Sequence, residues 1–441
     1  MNAPAAAPSP LLRATLARLQ ARADQPEHWR RLGSTRDRAA HFVRTHGLPH
    51  SKQEAWRFTP LGAVTSLAIS EPRPAEAPVE VAALAGADFG IDEARAVTFY
   101  RGGPEWRAGA LPSGVDGWTL AQWVERDPDS AAAILDFGAE PATAFAAVNT
   151  ALFEDLLVLR VAPGAKPDGP VQLLVTSSGG DPPIADYPRL VVLAEPHSEL
   201  ELVEVHVGTG PGAFLSNSVV QVRLEEGARL VHTRVEYGTE QSRRLGLLDV
   251  RQERDSRYAS RLVTLGGAFS RLDLRLRLAG EGAEAELAGL YHADTDEQVD
   301  HHTVVDHERP NCTSRQQYRG VLAGRGRAVF DGIVHVMRGA QGTNAHQENR
   351  NLILSDEAVV NTKPHLEINA DDVKCSHGAS IGRMDDEQLF YLCSRGIGES
   401  DARAMMADGF AREVIDLIRP RAVRESVATE VARRLRRHQG G

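Results

Sequence analysis

The sequence predicts a mainly β protein in which a strand-rich centre lies between two helical zones. Three observations support this fold class. Short runs rich in valine and leucine recur through residues 155–375, turn-forming residues separate them, and no helix-length apolar periodicity lies between them. A chain of 441 residues is long enough for about three domains. We predict an N-terminal helix-rich domain (1–150), a strand-rich core (151–378) and a C-terminal helical domain (379–441).

The N-terminal domain is expected to begin with helices. Ser9-Pro10 before a leucine-rich stretch predicts a capped amphipathic helix. Ser34 begins a capping-box pattern, which predicts a second helix that stops at Gly47. Residues 71–80 are rich in proline and acid, which is typical of a linker or an exposed loop.

The strand-rich core admits more than one architecture. Its alternating runs fit a sandwich, a barrel or a solenoid, and no clean repeat length selects the solenoid. The low aromatic content of 5% and the asparagines at 344, 349 and 351 favour stacked short rungs. The main runs are LLVLRV, VQLLVTS, RLVVLAE, LELVEVHV, SVVQVRL, RLVHTRVEY, RLVTLG and RLDLRLRLAG.

The C-terminal domain is expected to be a series of capped helices. Asp385–Asp386 can cap a helix that ends at Gly396. Ser400 can cap a second helix that ends near Gly409, and a third then runs to Pro420. A last helix closes the chain.

Composition excludes several classes of function. A net charge of −10 gives no support for nucleic-acid binding. No apolar run approaches the roughly 18 residues of a membrane-spanning helix. The first residues lack the apolar core of a signal peptide, with a transit peptide as the alternative. Three cysteines cannot all pair, which favours a reducing cytoplasm.

Familiar catalytic motifs are missing from the sequence. It contains no P-loop, no Gly-x-Ser-x-Gly elbow, no His-Glu-x-x-His and no Cys-x-x-Cys. We therefore expect no nucleotide hydrolysis through a P-loop and no dedicated structural zinc site.

Potential metal ligands are concentrated late in the strand-rich core. Eight histidines lie between residues 292 and 377, and imidazole and thiolate both suit iron, zinc or copper. Most are expected to be solvated or hydrogen-bonded strand residues. Cys375 and His377 are the exception, because residues i and i+2 of an extended segment point to one face. Two ligands cannot close a metal site, so a partner chain supplies the rest or the pair is structural.

An apolar stripe follows the predicted C-terminal helices. It consists of Met405, Met406, Phe410, Val414 and Ile418 at helical spacing. Such a stripe packs within its own domain or contacts a partner, and methionine-rich faces are common at partner surfaces. The spacing alone leaves both interpretations open.

A long, ordered set of motifs lies in the later part of the sequence. The motifs are Asp306–Pro310, Ser314–Gly320, Phe330–Gly332, Ala340–Ser355, Lys363–Ile368, Asp372–Ala379, Leu389–Leu392 and Ser394–Ile397. This set resembles the SufB/SufD family of iron–sulfur cluster assembly proteins. Cys375–Ala379 stands where SufB-type chains carry a Glu-His-Glu run, and the segment 47–59 also favours the SufD branch. Residues 155–300 match only in their strand-rich character.

The resemblance implies a right-handed parallel β-helix core flanked by N- and C-terminal helical domains. It implies a cytoplasmic, non-catalytic subunit that pairs with SufB, docks the SufC ATPase and supports iron acquisition. A homodimer is the alternative assembly of the isolated chain. A transient iron–sulfur cluster shared with SufB would form at their interface, with Cys375 and His377 as ligands from this chain. The stripe Met405–Ile418 becomes the candidate SufC-docking face, and Cys312 and Cys393 are assigned structural roles.

Two other classes of function compete with this interpretation. A β-helix enzyme acting on polysaccharide needs a groove lined with aromatic and carboxylate side chains, and the low aromatic content argues against it. A self-contained metalloenzyme should retain stoichiometric metal when it is purified alone.

Overall fold

A computed structural model of the chain describes residues 8–21, 27–32, 35–69, 89–90, 96–100, 103–105, 111–136 and 143–436. Within these ranges, helices lie at both ends and strands fill the centre, which confirms the predicted fold class. The helices are α1 (Pro10–Ala21), α2 (Glu27–Arg31), α3 (Thr35–His46), α4 (Gly62–Thr65), α5 (Leu120–Arg126), α6 (Pro128–Leu135), α7 (Ala144–Leu152), α8 (Asp386–Ser394), α9 (Glu399–Ile415) and α10 (Arg421–Arg436). A single 3-10 turn covers Glu54–Trp56.

Twenty strands are present in the described ranges. They are β1 (Ala96–Tyr100), β2 (Gly103–Glu105), β3 (Val115–Thr119), β4 (Leu157–Val161), β5 (Val171–Ser178), β6 (Ile184–Asp186), β7 (Arg189–Ala194), β8 (Glu199–Thr209), β9 (Phe214–Leu224), β10 (Arg229–Tyr237), β11 (Ser242–Gln252), β12 (Arg257–Leu265), β13 (Phe269–Leu278), β14 (Glu284–Ala293), β15 (Gln298–His307), β16 (Thr313–Leu322), β17 (Arg327–Val336), β18 (Thr343–Ile353), β19 (Val359–Ile368) and β20 (Val373–Gly382). The domain boundaries near residues 150 and 378 stay predictions.

The strands form two sheets between which the chain alternates. The first sheet has the order β2-β1-β5-β8-β10-β12-β14-β16-β18-β20, and the second runs β19-β17-β15-β13-β11-β9-β7-β4-β3, with β6 beside β9. From β8 onward each strand pairs in parallel with the strand two places later, in continuous register. The core is therefore a parallel β-solenoid, which confirms the fold that the family resemblance implied.

The solenoid repeat has an irregular length. The register partners Arg229, Arg257, Glu284, Thr313 and Asn344 follow one another at intervals of 28, 27, 29 and 31 residues. The variation lies in the turns, because the strands stay in register throughout. This irregularity explains why no clean repeat length is visible in the sequence.

One corner of the solenoid uses the same left-handed backbone conformation in turn after turn. At each such corner the amide of the left-handed residue donates to a carbonyl of the next corner. Glycine, asparagine and aspartate tolerate this conformation best, which explains their recurrence between the strand runs. The stacked residues, with positive φ angles between 53° and 72°, are His197, Gly227, Asp255, Gly282, Asn311 and Gly342.

Three apolar clusters hold the solenoid and its helices together. One fills the interior between the two sheets, with members from Val97 to Ala370. A second joins the N-terminal helices to the outer face of the second sheet, where Leu215, Leu245 and Phe269 are buried. A third packs α9 and α10 on the outer face of the first sheet. Helices thus cover both outer faces of the solenoid.

The structure corrects the helix predictions for residues 400–420 and confirms others. The N-cap is Gly398 rather than Ser400, and no separate helix of the described chain runs to Pro420. The helix over residues 399–415 continues through Gly409 and ends at Ile415, so the predicted break near Gly409 is wrong. Gly409 faces open space, where a glycine costs a helix only about 1 kcal/mol, and the flanking Ala407 and Ala411 are buried. Helices end before Gly47 and Gly396 as predicted.

Two sequence predictions lie outside the described residues. These are the cap at Ser34 and the loop over residues 71–80. Among the described helices, none is long and apolar enough to cross a membrane.

Candidate functional site

The solenoid is open at the end formed by β19 and β20. Each of these strands has a single strand neighbour among the described residues, β17 for β19 and β18 for β20. Their side chains are largely solvent-accessible, including Ile368 at 44% and Ile381 at 54%. We call the exposed inner faces and free edges of β19 and β20 the open end.

Cys375 and His377 lie side by side at the open end, as the strand periodicity predicts. Cys375 is in register with Ala345, and His377 is in register with Gln347. Both partners are fully buried residues of the solenoid interior. Because register-paired residues of a parallel sheet point to the same face, Cys375 and His377 form the next layer of that interior. No strand of the described chain covers this layer.

The two side chains differ in exposure. Cys375 is half-buried and packs against the interior apolar cluster, whereas His377 is exposed. Burial raises the pKa of the Cys375 thiol, and a backbone hydrogen bond from Ala345 lowers it in part. The thiol is therefore protonated at neutral pH. A metal that binds this sulfur has to displace the proton, as metal binding to cysteine commonly does.

The described residues do not complete a metal site around this pair. No group of three or more histidine, cysteine, aspartate or glutamate side chains in the described part of the chain is arranged to hold a metal ion. The nearby carboxylates and histidines pair with one another instead. His335 Nδ1 lies 2.7 Å from Asp306 Oδ1, and His365 Nε2 lies 3.3 Å from Glu367 Oε1.

Most other histidines of this region are hydrogen-bonded strand residues, as expected. His301 Nε2 lies 3.0 Å from Thr264 Oγ1, and His307 Nε2 lies 2.8 Å from Ser314 Oγ. Burial lowers the pKa of both imidazoles to about 4, so both are neutral at pH 7. These residues belong to the solenoid interior rather than to a metal site.

The asparagines near the open end also face the interior. Asn349 Nδ2 donates to the Tyr291 hydroxyl at 3.0 Å, and Asn351 Nδ2 donates to Asn349 Oδ1 at 2.6 Å. Thr362 of β19 donates to Asn349 Oδ1 at 2.8 Å. These side chains link the two sheets just inside the open end. The arrangement agrees with the prediction of stacked short rungs that was based on the asparagines. Asn344 is exposed and does not belong to this group of interior side chains.

The segment 47–59 packs on the outer face of the second sheet. The Arg271 guanidinium lies 3.6 Å from the Trp56 ring centroid and donates to the Ala55 carbonyl at 2.7 Å. Thr59 Oγ1 donates to Asp300 Oδ2 at 2.5 Å. Burial raises the pKa of Asp300 to about 6. The segment is thus fixed to the solenoid by polar contacts that are largely removed from water.

The same segment reaches the last strand of the second sheet. Glu54 pairs with Lys363 of β19 at the solenoid surface. Asp331 neighbours Lys363 in register, and its pKa is raised by burial. Sequence reasoning recognised the segment by its motif but did not place it beside the open end.

The C-terminal apolar stripe does not form one surface. Val414 and Ile418 are fully buried against the first sheet, and Phe410 is half-buried with the Arg319 guanidinium 5.9 Å from its ring centroid. Met405 is 53% exposed and Met406 is half-buried. In this arrangement Val414 and Ile418 contact the chain's own fold, so the side chains of the stripe that can meet a partner are near its N-terminal end.

Two large apolar side chains of α8 were not part of the predicted docking stripe. Phe390 and Tyr391 of α8 are 75% and 56% exposed. Their helix carries only one buried residue, Leu389. Tyr391 and Leu392 line one shallow groove with Met406 of α9, and contiguous exposed apolar side chains are common at protein contact surfaces. The sequence signal for them was the helix EQLFYLCSR, whose apolar residues cluster without helical spacing.

The two cysteines that were assigned structural roles lie away from the open-end pair. Cys312 is fully buried at a solenoid corner, where its Sγ lies 3.3 Å from the Gly280 carbonyl oxygen. Cys393 is half-buried in α8. All three cysteines are free thiols.

Comparison with known proteins agrees with the motif resemblance. Residues 175–410 match the family profile described as "SUF system FeS cluster assembly, SufBD core domain". A SufBD family protein of Synechocystis, slr0076, is 30% identical over 400 residues, covering 88% of this chain and 87% of its own. The iron–sulfur cluster assembly protein SufD of Escherichia coli is 30% identical over 396 residues, covering 88% of this chain and 90% of its own. The chloroplastic protein ABCI7 of Arabidopsis thaliana is 35% identical over 295 residues, covering 65% and 62%.

Proposed function

The chain belongs to the SufBD family of SUF-system iron–sulfur cluster assembly proteins, and we propose that it serves there as a non-catalytic SufD-type scaffold subunit. In this role it pairs with a SufB-type chain through the open end of its solenoid. It also docks a SufC-type ATPase through its C-terminal helices and acts in the cytoplasm.

The observation that carries this proposal is the uncovered layer at β19 and β20. The free edges of two strands and the exposed side chains of Ile368 and Ile381 resemble a core cut in half. Another solenoid that stacks on this end would continue both sheets and cover the apolar residues. A SufB-type chain has the family architecture that such stacking requires.

The chemistry of the open end suits an iron–sulfur cluster as cargo. Cys375 supplies a thiol and His377 an imidazole, and both are ligands for iron. Iron–sulfur clusters take four ligands, so this pair supplies at most half of them. The proposal assigns the rest to the partner, which would make cluster assembly depend on pairing. Covering the end also removes water from the ligands.

The ATPase contact is proposed at the exposed end of the helical domain. Met405 and Met406 are the residues of the predicted docking stripe that are accessible to a partner. Phe390 and Tyr391 extend this surface onto α8. Phe410 is half-buried, so it would lie at the rim of such a surface. A supporting fact is the absence of a P-loop from the sequence, which assigns nucleotide hydrolysis to a different subunit.

The experiment that tests the proposal is cluster reconstitution in the assembled complex. His377→Ala, combined with SufB- and SufC-type partners, should recover complex normally but form less cluster by iron content and visible absorbance. The matched control is His365→Ala, which removes an exposed histidine from β19 on the other sheet. Equal cluster yield from wild type and His377→Ala would remove His377 from the site.

Two alternative assignments predict different results in simple measurements. Two copies of this chain could stack open end to open end, and the mass of the purified chain in solution would then be that of a dimer. A self-contained metalloenzyme would retain one equivalent of metal without any partner. Our proposal expects metal only after a SufB-type chain has been added.

A further inference from the structure

Gln347 lies directly beneath His377 and has unused hydrogen-bonding capacity. It is fully buried, and neither its Oε1 nor its Nε2 atom has a hydrogen-bond partner among the described residues. A buried amide without partners destabilises a fold, so most such groups in proteins have a reason to be kept. The adjacent layer toward the open end contains His377.

The interior is shaped to hold the Gln347 side chain. On the facing sheet, a Cβ atom at Gly332 would overlap Gln347 Nε2, so only glycine leaves room for the amide there. An apolar side chain of the same length would fill this space without leaving polar atoms unpaired. Packing alone therefore does not explain an amide at this position.

The layer below can hold the amide in one orientation. Thr303 Oγ1 donates to Gln316 Oε1 at 2.8 Å, and Gln316 is in register with Gln347. Gln316 Nε2 also has no hydrogen-bond partner among the described residues, so the Gln316 amide can accept from Gln347 or donate to it. Where Gln347 Nε2 donates to Gln316 Oε1, Gln347 Oε1 is left to accept an N–H from His377.

We propose that Gln347 is the positioning residue for His377. When a partner covers the open end, Gln347 Oε1 accepts the N–H of one imidazole nitrogen, and the other nitrogen is left to bind iron. Histidines that bind metals usually donate their second N–H to such an acceptor, which fixes the tautomer and the ring orientation. This inference rests on the proposed function, in which His377 is a cluster ligand.

The test is a double-mutant cycle between Gln347→Met and His377→Ala. Methionine has the length of glutamine but lacks its amide oxygen and amino group, so the isolated Gln347→Met chain should unfold at the same temperature as wild type or at a higher one. In the complex with SufB- and SufC-type partners, loaded anaerobically with ferrous iron and sulfide, it should bind iron about 10-fold more weakly. In a His377→Ala background, Gln347→Met should cause no further loss, because the two residues act as one unit.

The outcomes separate this inference from the function on which it rests. If His377→Ala lowers iron binding and Gln347→Met does not, the positioning role is overturned and the proposed function stands. If Gln347→Met lowers iron affinity by the same factor with and without His377, the positioning role is also overturned. If His377→Ala itself binds iron as wild type does, His377 is not a cluster ligand, and that part of the proposed function fails together with the inference. A lowered unfolding temperature shared by Gln347→Met and Gln347→Leu would show a packing role and overturn the inference.

Discussion

Strands β9 and β20 have the same parallel geometry but opposite surroundings. In β9 ten of the eleven residues are buried, because β7 and β11 flank it and N-terminal helices pack on its outer face. In β20 eight of the ten residues are exposed, and β18 is its one strand neighbour in the described chain. Each rung of a solenoid is stabilised by its neighbours. The described chain covers its early rungs itself and leaves the last one exposed.

The comparison also separates two uses of polar residues. In the early rungs, Glu204, His232, Arg234 and Glu236 form a buried network of ion pairs and hydrogen bonds, including Arg234 to Glu236 at 2.7 Å. At the open end, the buried amide of Gln347 has no hydrogen-bond partner among the described residues, and His377 is exposed. Breaking the first arrangement should therefore destabilise the isolated chain, whereas our proposal gives the second a role only when a partner covers the end.

The largest expected effect on stability comes from breaking the buried network of the early rungs. Arg234→Ala leaves the Glu236 carboxylate buried without its main partner, because both side chains are at most 2% exposed. The free energy of unfolding should fall by about 3–5 kcal/mol. The matched open-end control, Arg383→Ala, breaks an exposed pair with Asp356 and should change stability by less than about 1 kcal/mol. Urea unfolding of the isolated chain measures both, and equal losses would contradict the comparison.

The second-largest loss of stability is expected from breaking the contact between the segment 47–59 and the second sheet. Arg271→Ala removes the hydrogen bond to the Ala55 carbonyl and the stacking on Trp56, so we expect a loss of about 3 kcal/mol. Arg271→Lys keeps the charge but not the planar fork, and should restore only part of this loss. Thermal unfolding followed by tryptophan fluorescence measures the effect. Full rescue by lysine would show that charge alone matters at this contact.

Asp300 should make stability depend on pH in the acidic range. Its folded pKa of about 6 lies above the ordinary value of 3.8, because burial disfavours its carboxylate form. The folded state therefore binds the proton more tightly. The contribution of Asp300 is fully present below about pH 4 and is lost as pH rises to about 6, by up to about 3 kcal/mol. Asp300→Asn resembles the protonated form, so its stability should fall less between pH 4 and pH 7. Parallel curves for the variant and wild type would contradict this assignment.

The smallest effect on the isolated chain is expected at the open end. Ile381 is 54% exposed, so Ile381→Lys should change the free energy of unfolding by no more than about 0.5 kcal/mol. The same change should abolish binding of a SufB-type partner, because it places a charge in a desolvated contact. Pull-down with that partner and unfolding of the isolated variant are measured together. A folded variant that binds normally would place the interface elsewhere.

Much of the fold was predictable because it depends on local patterns. Strand alternation, left-handed turn residues and helix caps are set by neighbours in sequence, and they located most elements correctly. The irregular spacing of register partners hid the solenoid, and the family resemblance was needed to choose it. The predicted helix break near Gly409 was wrong because packing of Ala407 and Ala411 on the sheet outweighs the local cost of glycine.

The site was predictable only in part because it depends on stacking between distant residues. Two-residue periodicity correctly placed Cys375 and His377 on one face. It could not show that Gln347 lies beneath His377, since that contact joins residues 30 positions apart through strand register. Helical spacing could not show which residues of the Met405–Ile418 stripe are buried and which are exposed. Burial of Val414 depends on a sheet formed by residues far earlier in the chain.

The central claim is that a partner covers the open end of the solenoid, and hydrogen exchange tests it most directly. The amides of β19 and β20 should exchange quickly in the isolated chain. On addition of a SufB-type partner they should become strongly protected, while β9 and β11 should be protected equally in both states. Unchanged exchange in residues 359–382, in a complex shown to have formed, would contradict the claim.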